Sequence, residues 1–140
     1  MSQENIDILR PIYFEWSQGN FQPKFDVYDP EMEWGWSPEF PGLAGVYVDP
    51  AERNKRLHEW LSPWEEWRCE AKGYIEHGDH VVVLCRYWGR GKGSGASVDT
   101  RGAHVWKLRD GKVIRLEVFV DPATALESVG LSGQDAPAGS

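Results

Sequence analysis

"GAHVWKLRDGKVIRLEVFV", residues 102–120, is the stretch that decides how the rest of the sequence is interpreted. Two runs rich in apolar residues meet at Asp110-Gly111. Asp-Gly between alternating apolar runs is a strong short-range signal for a β-hairpin with a two-residue turn. Counting outward from that turn places His104 opposite Glu117 and Trp106 opposite Arg115. The stretch therefore predicts two paired strands.

The two faces of this hairpin are expected to differ, because successive side chains of a strand point to opposite sides. One face mixes aromatic with ionisable side chains: His104, Trp106, Leu108, Val113, Arg115, Glu117 and Phe119. The other is nearly all aliphatic: Val105, Lys107, Ile114, Leu116, Val118 and Val120. The mixed face is typical of a pocket wall. A His–Glu pair can also lie on a solvent-exposed sheet face without any function, where it contributes ~0.2–1 kcal/mol to the stability of the sheet.

Composition limits the class of protein. The 140 residues suffice for one domain with a core, and the net charge of −7 argues against a nucleic-acid partner and against an anionic membrane surface. No apolar run has the length of a signal peptide or a membrane span. Two cysteines are few for a small secreted domain, which favours a reducing cytoplasm. Eight tryptophans suit either a heavy core or an apolar pocket that needs N–H donors.

No metal or cofactor is expected from the motifs. Cys69 and Cys85 have no metal-ligand spacing, and His77 and His80 flank a turn without further ligands. The glycine-rich segment 89–95 lacks the context and the Lys-Ser/Thr of a phosphate-binding loop.

The order of predicted elements is helices first and strands afterwards, which is an α+β arrangement. Residues 1–131 are expected to form one domain, and residues 132–140 a disordered tail. Asp49 is placed to cap a helix. Asp121 is either a cap for the last helix or a third candidate acid/base residue after His104 and Glu117. Periodicity predicts helices over 3–18, 23–28, 50–60 and 122–129, strands over 31–36, 67–76, 80–88, 97–108 and 113–120, and a long loop over 37–50.

Three stretches resemble the SnoaL-like family of the NTF2-like superfamily. "YFEWSQGNFQPKFDVYDPEMEW" (13–34) is similar to its first-helix segment. "GDHVVVLCRYWGRGKGSG" (78–95) and "RGAHVWKLRDGKVIRLEVFVDPATALESVGL" (101–131) are similar to its closing strands and final helix. The resemblance implies a cone in which helices pack on a curved, mostly antiparallel sheet around one pocket. It also implies a homodimer through the outer sheet face.

The resemblance implies roles for particular residues. SnoaL-like polyketide cyclases use an aspartate on a late strand and a histidine on the strand before it, and Glu117 and His104 lie near those places. The base of ketosteroid isomerases is replaced by Trp34, so that reaction is not implied. Limonene epoxide hydrolases use an Asp–Arg–Asp set, to which Arg86, Arg115, Glu117 and Asp121 are a loose match.

The expected function is therefore cofactor-independent acid/base catalysis, of cyclase, isomerase or hydrolase type, on a hydrophobic oxygenated small molecule. A non-catalytic binding module or a dimerising helper of the same fold is the alternative. Glu117 and His104 are the predicted catalytic residues, and Glu117→Gln is expected to abolish turnover. The predicted substrate-binding residues are Tyr13, Trp16, Trp34, Trp36, Trp60, Arg86, Trp106, Arg115 and Phe119. The predicted dimer patch is the aliphatic row of Val105, Leu116 and Val118.

Overall fold

The computed structural model describes residues 2–21 and 26–132, and in these it contains three helices and six strands. The helices are α1 (Ser2–Ser17), α2 (Pro50–Leu61) and α3 (Pro122–Ser128). The strands are β1 (Tyr28–Trp36), β2 (Gly45–Tyr47), β3 (Trp64–His77), β4 (His80–Gly91), β5 (Ser97–Arg109) and β6 (Lys112–Phe119).

One mixed sheet organises the fold. Its strand order is β2-β1-β6-β5-β4-β3, and every neighbouring pair is antiparallel except β1 and β6. One face, called here the inner face, packs against Leu9, Tyr13 and Trp16 of α1 to form the main core. The opposite, outer face carries a smaller apolar cluster that includes Leu126 of α3. The predicted α+β arrangement is confirmed.

Most predicted elements are present. Asp49 caps α2 by accepting from the backbone N–H of Glu52, and α1 includes Pro11. The short strand β2 was not predicted. The first half of the predicted helix over 23–28 lies outside the described residues, while residues 26 and 27 form a turn and Tyr28 begins β1. The predicted disordered tail also lies outside the described residues, apart from its first position.

The β5–β6 hairpin contains a β-bulge that corrects the predicted register. The turn at Asp110-Gly111 forms as expected, but Ile114 is an extra residue in β6, so the pairing shifts beyond Leu108. His104 then pairs with Val118, and Glu117 pairs with Val105. A one-residue slip moves every later side chain to the other face. The prediction that His104 faces Glu117 is therefore wrong, because the two side chains lie on opposite faces.

The bulge also removes the predicted aliphatic dimer patch. Leu116 and Val118 are buried in the main core, while Val105 is buried in the outer cluster beside α3. None of the three is exposed in the single chain, so they do not form a row on the outer face. Within the described residues, no helix has the length and apolar character needed to cross a membrane.

Candidate functional site

A cavity lies between the inner face of the sheet and the helices, and its wall is mostly aromatic. Its volume is about 40 Å³, enough for a few water molecules and too little for a ring system. No carboxylate is among the described residues that line it: Trp16, Phe21, Trp34, Trp36, Phe40, Leu57, Trp60, Trp67, Cys69, Tyr87, His104 and Val118.

Glycines on two strands make room for the rings of this wall. A Cβ atom at Gly102 would lie 2.0 Å from Cε2 of Tyr87, and one at Gly89 would lie 2.4 Å from the Trp67 ring. Glycine within a strand often marks such a close approach. The Tyr87 hydroxyl donates to the backbone oxygen of Phe119 at 2.8 Å, which fixes the ring across β5.

A hydrogen-bond chain leads from the core to the cavity wall. Trp106 donates from Nε1 to the Tyr13 hydroxyl at 2.7 Å, and that hydroxyl lies 2.5 Å from Nδ1 of His104. Strand alternation places His104 and Trp106 on the inner face of β5, where Tyr13 of α1 packs against both. All three side chains are buried. Tyr13 therefore links the helix to the one histidine among the described cavity-lining residues.

The hydrogen-bond donors around Tyr13 and His104 determine which atoms of these two side chains carry protons. Burial raises the pKa of Tyr13 well above its ordinary value, so its phenol keeps its proton at neutral pH. An indole N–H can only donate, and the tyrosine oxygen accepts it. The assignment that satisfies every donor has Tyr13 donating to Nδ1 of His104, which places the ring proton on Nε2. Among the described residues, no hydrogen bond to Nε2 is found, so this N–H is available to a ligand.

Two indole groups in the cavity wall also have no hydrogen-bond partner. The Nε1 atoms of Trp34 and Trp36 are buried and unpaired within the described part of the chain. An unsatisfied buried donor costs about 1–3 kcal/mol. Together with Nε2 of His104, these groups supply the site with N–H donors.

Both cysteines lie against His104. Sγ of Cys85 is 3.5 Å from Nδ1, and one donor atom each of Cys69, Cys85 and His104 lies within 4.8 Å of the others. Burial raises the pKa of Cys69. Burial also opposes ionisation of Cys85, but its contacts with Cys69 and His104 lower its pKa to about 6. The linear spacing of these residues did not predict this cluster, because the pairing of β3, β4 and β5 creates it.

The predicted site residues divide into two groups. Trp16, Trp34, Trp36, Trp60 and His104 line the cavity, and Tyr13 and Trp106 are buried in contact with His104. Four others lie away from this cavity, and their roles in the site stay predictions: Arg86, Arg115, Glu117 and Phe119.

Each of these four side chains has another partner. Arg115 pairs with Glu33 at 3.2 Å and with Glu117 at 3.3 Å. Arg86 pairs with Asp99 at 2.6 Å. Phe119 packs in the outer cluster.

Asp121 caps α3, since its side chain accepts from the backbone N–H of Ala123 at 2.9 Å. Of the two roles considered for it, the cap is therefore confirmed.

Helices packed on a curved, mostly antiparallel sheet around an aromatic pocket define the NTF2-like class of proteins. An NTF2-like protein of Burkholderia pseudomallei superposes with a TM-score of 0.74 at 21% identity, covering 93% of this chain and 99% of that one. An NTF2-like protein of Burkholderia thailandensis gives 0.71 at 25% identity, covering 89% and 95%. TerC, co-crystallised with polyporic acid, gives 0.73 at 23% identity, covering 90% and 97%.

The SnoaL-like domain model matches residues 12–116. The chain belongs to the SnoaL-like family, and the predicted family and fold are confirmed. No curated protein matches it.

Proposed function

We propose that this chain binds a hydrophobic, oxygenated small molecule in the cone and that His104 transfers a proton to or from it. The observation that carries the proposal is the series of hydrogen bonds from Trp106 through Tyr13 to His104, at the wall of an aromatic cavity. It holds one imidazole in a fixed orientation and directs one ring nitrogen away from its protein partners. Membership of a family of small-molecule proteins supports this assignment.

The unpaired donors favour a ligand that carries oxygen acceptors. Nε1 of Trp34, Nε1 of Trp36 and Nε2 of His104 can each donate one hydrogen bond. A ligand with carbonyl or enolate oxygens would recover the free energy that these buried donors lose. The aromatic wall would contribute stacking contacts with the apolar part of the same ligand.

His104 is the group that would do the chemistry. Its Nε2–H can stabilise a developing oxyanion by donating a hydrogen bond. When the ring takes up a second proton from solvent to become imidazolium, Nε2 can give its proton to the ligand and later take it back. Tyr13 acts as a positioning residue, because its bond to Nδ1 sets the tautomer and the ring orientation. Glu117 has no part in this scheme because its carboxylate lies on the outer face with Arg115.

A non-catalytic binding module is the second candidate. The observation that favours it is the lack of a carboxylate among the described lining residues, which leaves His104 as the one titratable acid/base group besides a thiol and a phenol. Turnover of a bound compound separates the two functions.

The small cavity requires that the wall opens for a ligand. Helix α2 is the element best suited to move, since none of its residues is buried. It covers the cavity through Leu57 and Trp60, and Trp60 meets Trp67 edge to face at 5.1 Å between centroids. We propose that a ligand enters by displacing α2.

Trp60→Ala should weaken ligand binding by about 10–100-fold, because the ligand loses an aromatic contact worth about 1–3 kcal/mol. It should also speed association, since the cover over the cavity is smaller. Trp88→Ala is the matched control, because Trp88 lies outside the cavity wall. Stopped-flow quenching of tryptophan fluorescence measures both quantities. Equal effects of the two substitutions would contradict this role of α2.

Polyporic acid, the compound crystallised with TerC, is the first probe for the pocket. We expect it to quench the fluorescence of wild-type protein with a 1:1 stoichiometry. Trp36→Phe should bind it more weakly than wild type, because phenylalanine keeps the ring contact and loses the N–H donor. If this compound and a panel of oxygenated polycyclic compounds all leave the fluorescence unchanged, the proposed function is wrong.

The cytoplasmic location and the homodimer stay predictions. Two buried free thiols suit a reducing compartment. The dimer no longer has the exposed aliphatic row that motivated it. Sedimentation at several protein concentrations tests it.

A further inference from the structure

We propose that Cys69, Cys85 and His104 form a binding site for one thiophilic divalent cation, for which Zn²⁺ is the probe. This site is distinct in chemistry from the small-molecule function, although it shares His104 with it. Thiolate sulfur and imidazole nitrogen are the ligands that Zn²⁺ prefers in proteins.

The sheet holds the three donors in place. They come from three neighbouring strands, β3, β4 and β5, and all three side chains point to the inner face and are buried. Tyr87, the residue two positions after Cys85, pairs with Cys69, which makes the two cysteines diagonal neighbours. Cys85 and His104 lie on strands inside the sheet, and Cys69 lies on the edge strand β3, which packs against α1. The site is therefore largely formed before a cation arrives.

One donor–donor distance matches that of a tetrahedral zinc site, and the other two are close to it. Zn–S bonds of about 2.3 Å and Zn–N bonds of about 2.0–2.1 Å place a sulfur and a nitrogen ligand about 3.5 Å apart. The Cys85 Sγ–His104 Nδ1 distance is 3.5 Å. All three donor atoms lie within 4.8 Å of one another. A contraction of about 1 Å or less completes the geometry.

Charge neutrality favours a dication at this position. Two thiolates balance Zn²⁺, so the complex adds no net charge to a buried environment, where an unpaired charge is costly. Binding releases to solvent any proton that the two thiols still carry, and no electron is transferred. Cys69 and His104 also line the cavity, so water or a ligand atom can supply the fourth ligand.

Cation binding and the Tyr13 hydrogen bond compete for the same lone pair. Nδ1 of His104 accepts from Tyr13 in the metal-free form, and a cation at Nδ1 displaces that proton. The metal-loaded protein should therefore lose the Tyr13–His104 bond. Loading is expected to block the proton transfer proposed for His104, while the metal-free protein still binds its small molecule.

The test uses the full chain, purified with a reductant and freed of metal with a chelator. Calorimetric titration with Zn²⁺ should give one site per chain. Co²⁺ should produce a thiolate-to-cobalt charge-transfer band together with the visible bands of tetrahedral coordination. At a free Zn²⁺ concentration about 100 times Kd, the melting temperature should rise by about 5–10 °C.

Cys69→Ser and Cys85→Ser should each weaken Zn²⁺ binding by at least about 100-fold and remove most of the charge-transfer intensity. The control variant is His77→Gln/His80→Gln, which removes the two histidines that flank the β3–β4 turn, where His80 lies 3.4 Å from Asp79. This variant should bind as wild type does.

Three results would overturn the proposal. One is reduced wild-type protein that binds Co²⁺ without a thiolate band, a readout that does not depend on the folding of any variant. Another is binding that is lost in the turn variant and kept in both cysteine variants. The third is a Cys69–Cys85 disulfide that the reductant does not cleave in the folded protein. Failure of this proposal leaves the small-molecule function intact, because polyporic acid binding is measured on metal-free protein.

Discussion

Gly102→Ala should lower the free energy of unfolding by about 3 kcal/mol, the largest stability effect we expect from adding one methyl group. The new Cβ would lie 2.0 Å from the Tyr87 ring, so the ring must leave its position. Overpacking of a buried site costs about 1–3 kcal/mol, and the Tyr87 hydrogen bond to Phe119 adds about 1 kcal/mol when it is lost. For a chain of this length the melting temperature should fall by about 10 °C.

Gly35→Ala is the matched control for this substitution. Gly35 also lies within a strand of the same sheet, but a Cβ there would meet the flexible side chain of Glu117 at an ordinary 3.4 Å. We expect a change within about 0.5 kcal/mol. Urea denaturation followed by circular dichroism measures both variants. A Gly102→Ala protein as stable as Gly35→Ala would show that Tyr87 does not cross β5 as described.

His104→Gln should reduce turnover by about 10²–10⁴-fold, the usual contribution of a general acid or base. Glutamine keeps a donor and much of the size of histidine, but it cannot exchange a proton at neutral pH. Affinity for the same compound should change far less, because the aromatic wall remains. The measurement is kcat and Kd for a compound that wild-type protein both binds and converts.

Glu117→Gln is the control for His104→Gln. Its carboxylate pairs with Arg115 on the outer face, so we expect turnover within about twofold of wild type and a stability loss below about 1 kcal/mol. The regular register counted from the two-residue turn predicts the opposite, namely that Glu117→Gln abolishes turnover. A rate that collapses in Glu117→Gln and survives in His104→Gln would refute the assignment of the acid/base role.

Local patterns were sufficient to predict much of the fold. Alternation in 31–36 places Met32, Trp34 and Trp36 on one face, and all three are buried in the main core. The caps at Asp49 and Asp121 form as their side chains predict. These features depend on interactions between residues a few positions apart, so a short stretch of sequence is sufficient to predict them.

The register of β6 could not be predicted in the same way. Apolar residues occur on both faces of "KVIRLEVF" in either register, so the pattern does not select between a regular ladder and a bulged one. The bulge exchanges the faces of Glu117 and Val118. The predicted His–Glu pair therefore failed at a single inserted position, while His104 itself was placed correctly in the pocket wall.

The remaining parts of the site depend on long-range pairing. Cys69, Cys85 and His104 meet because three strands align, and Tyr13 reaches His104 from a helix 91 positions earlier in the chain. These residues lie in no local sequence motif, so nothing near them in the sequence indicates that they meet. Likewise, the reason for glycine at 89 and 102 is found only in the folded chain, where the rings of Trp67 and Tyr87 lie against them.

The proton position on His104 is the most direct test of the account, because it requires no substrate. Nitrogen-15 NMR of the imidazole in metal-free protein, at a pH where the ring is neutral, distinguishes the two tautomers. We predict a proton on Nε2 and an unprotonated Nδ1 whose resonance shifts in Tyr13→Phe, where the hydrogen bond is lost. A ring protonated on Nδ1, with the same spectrum in Tyr13→Phe, would contradict the central claim that Tyr13 orients His104 toward the ligand.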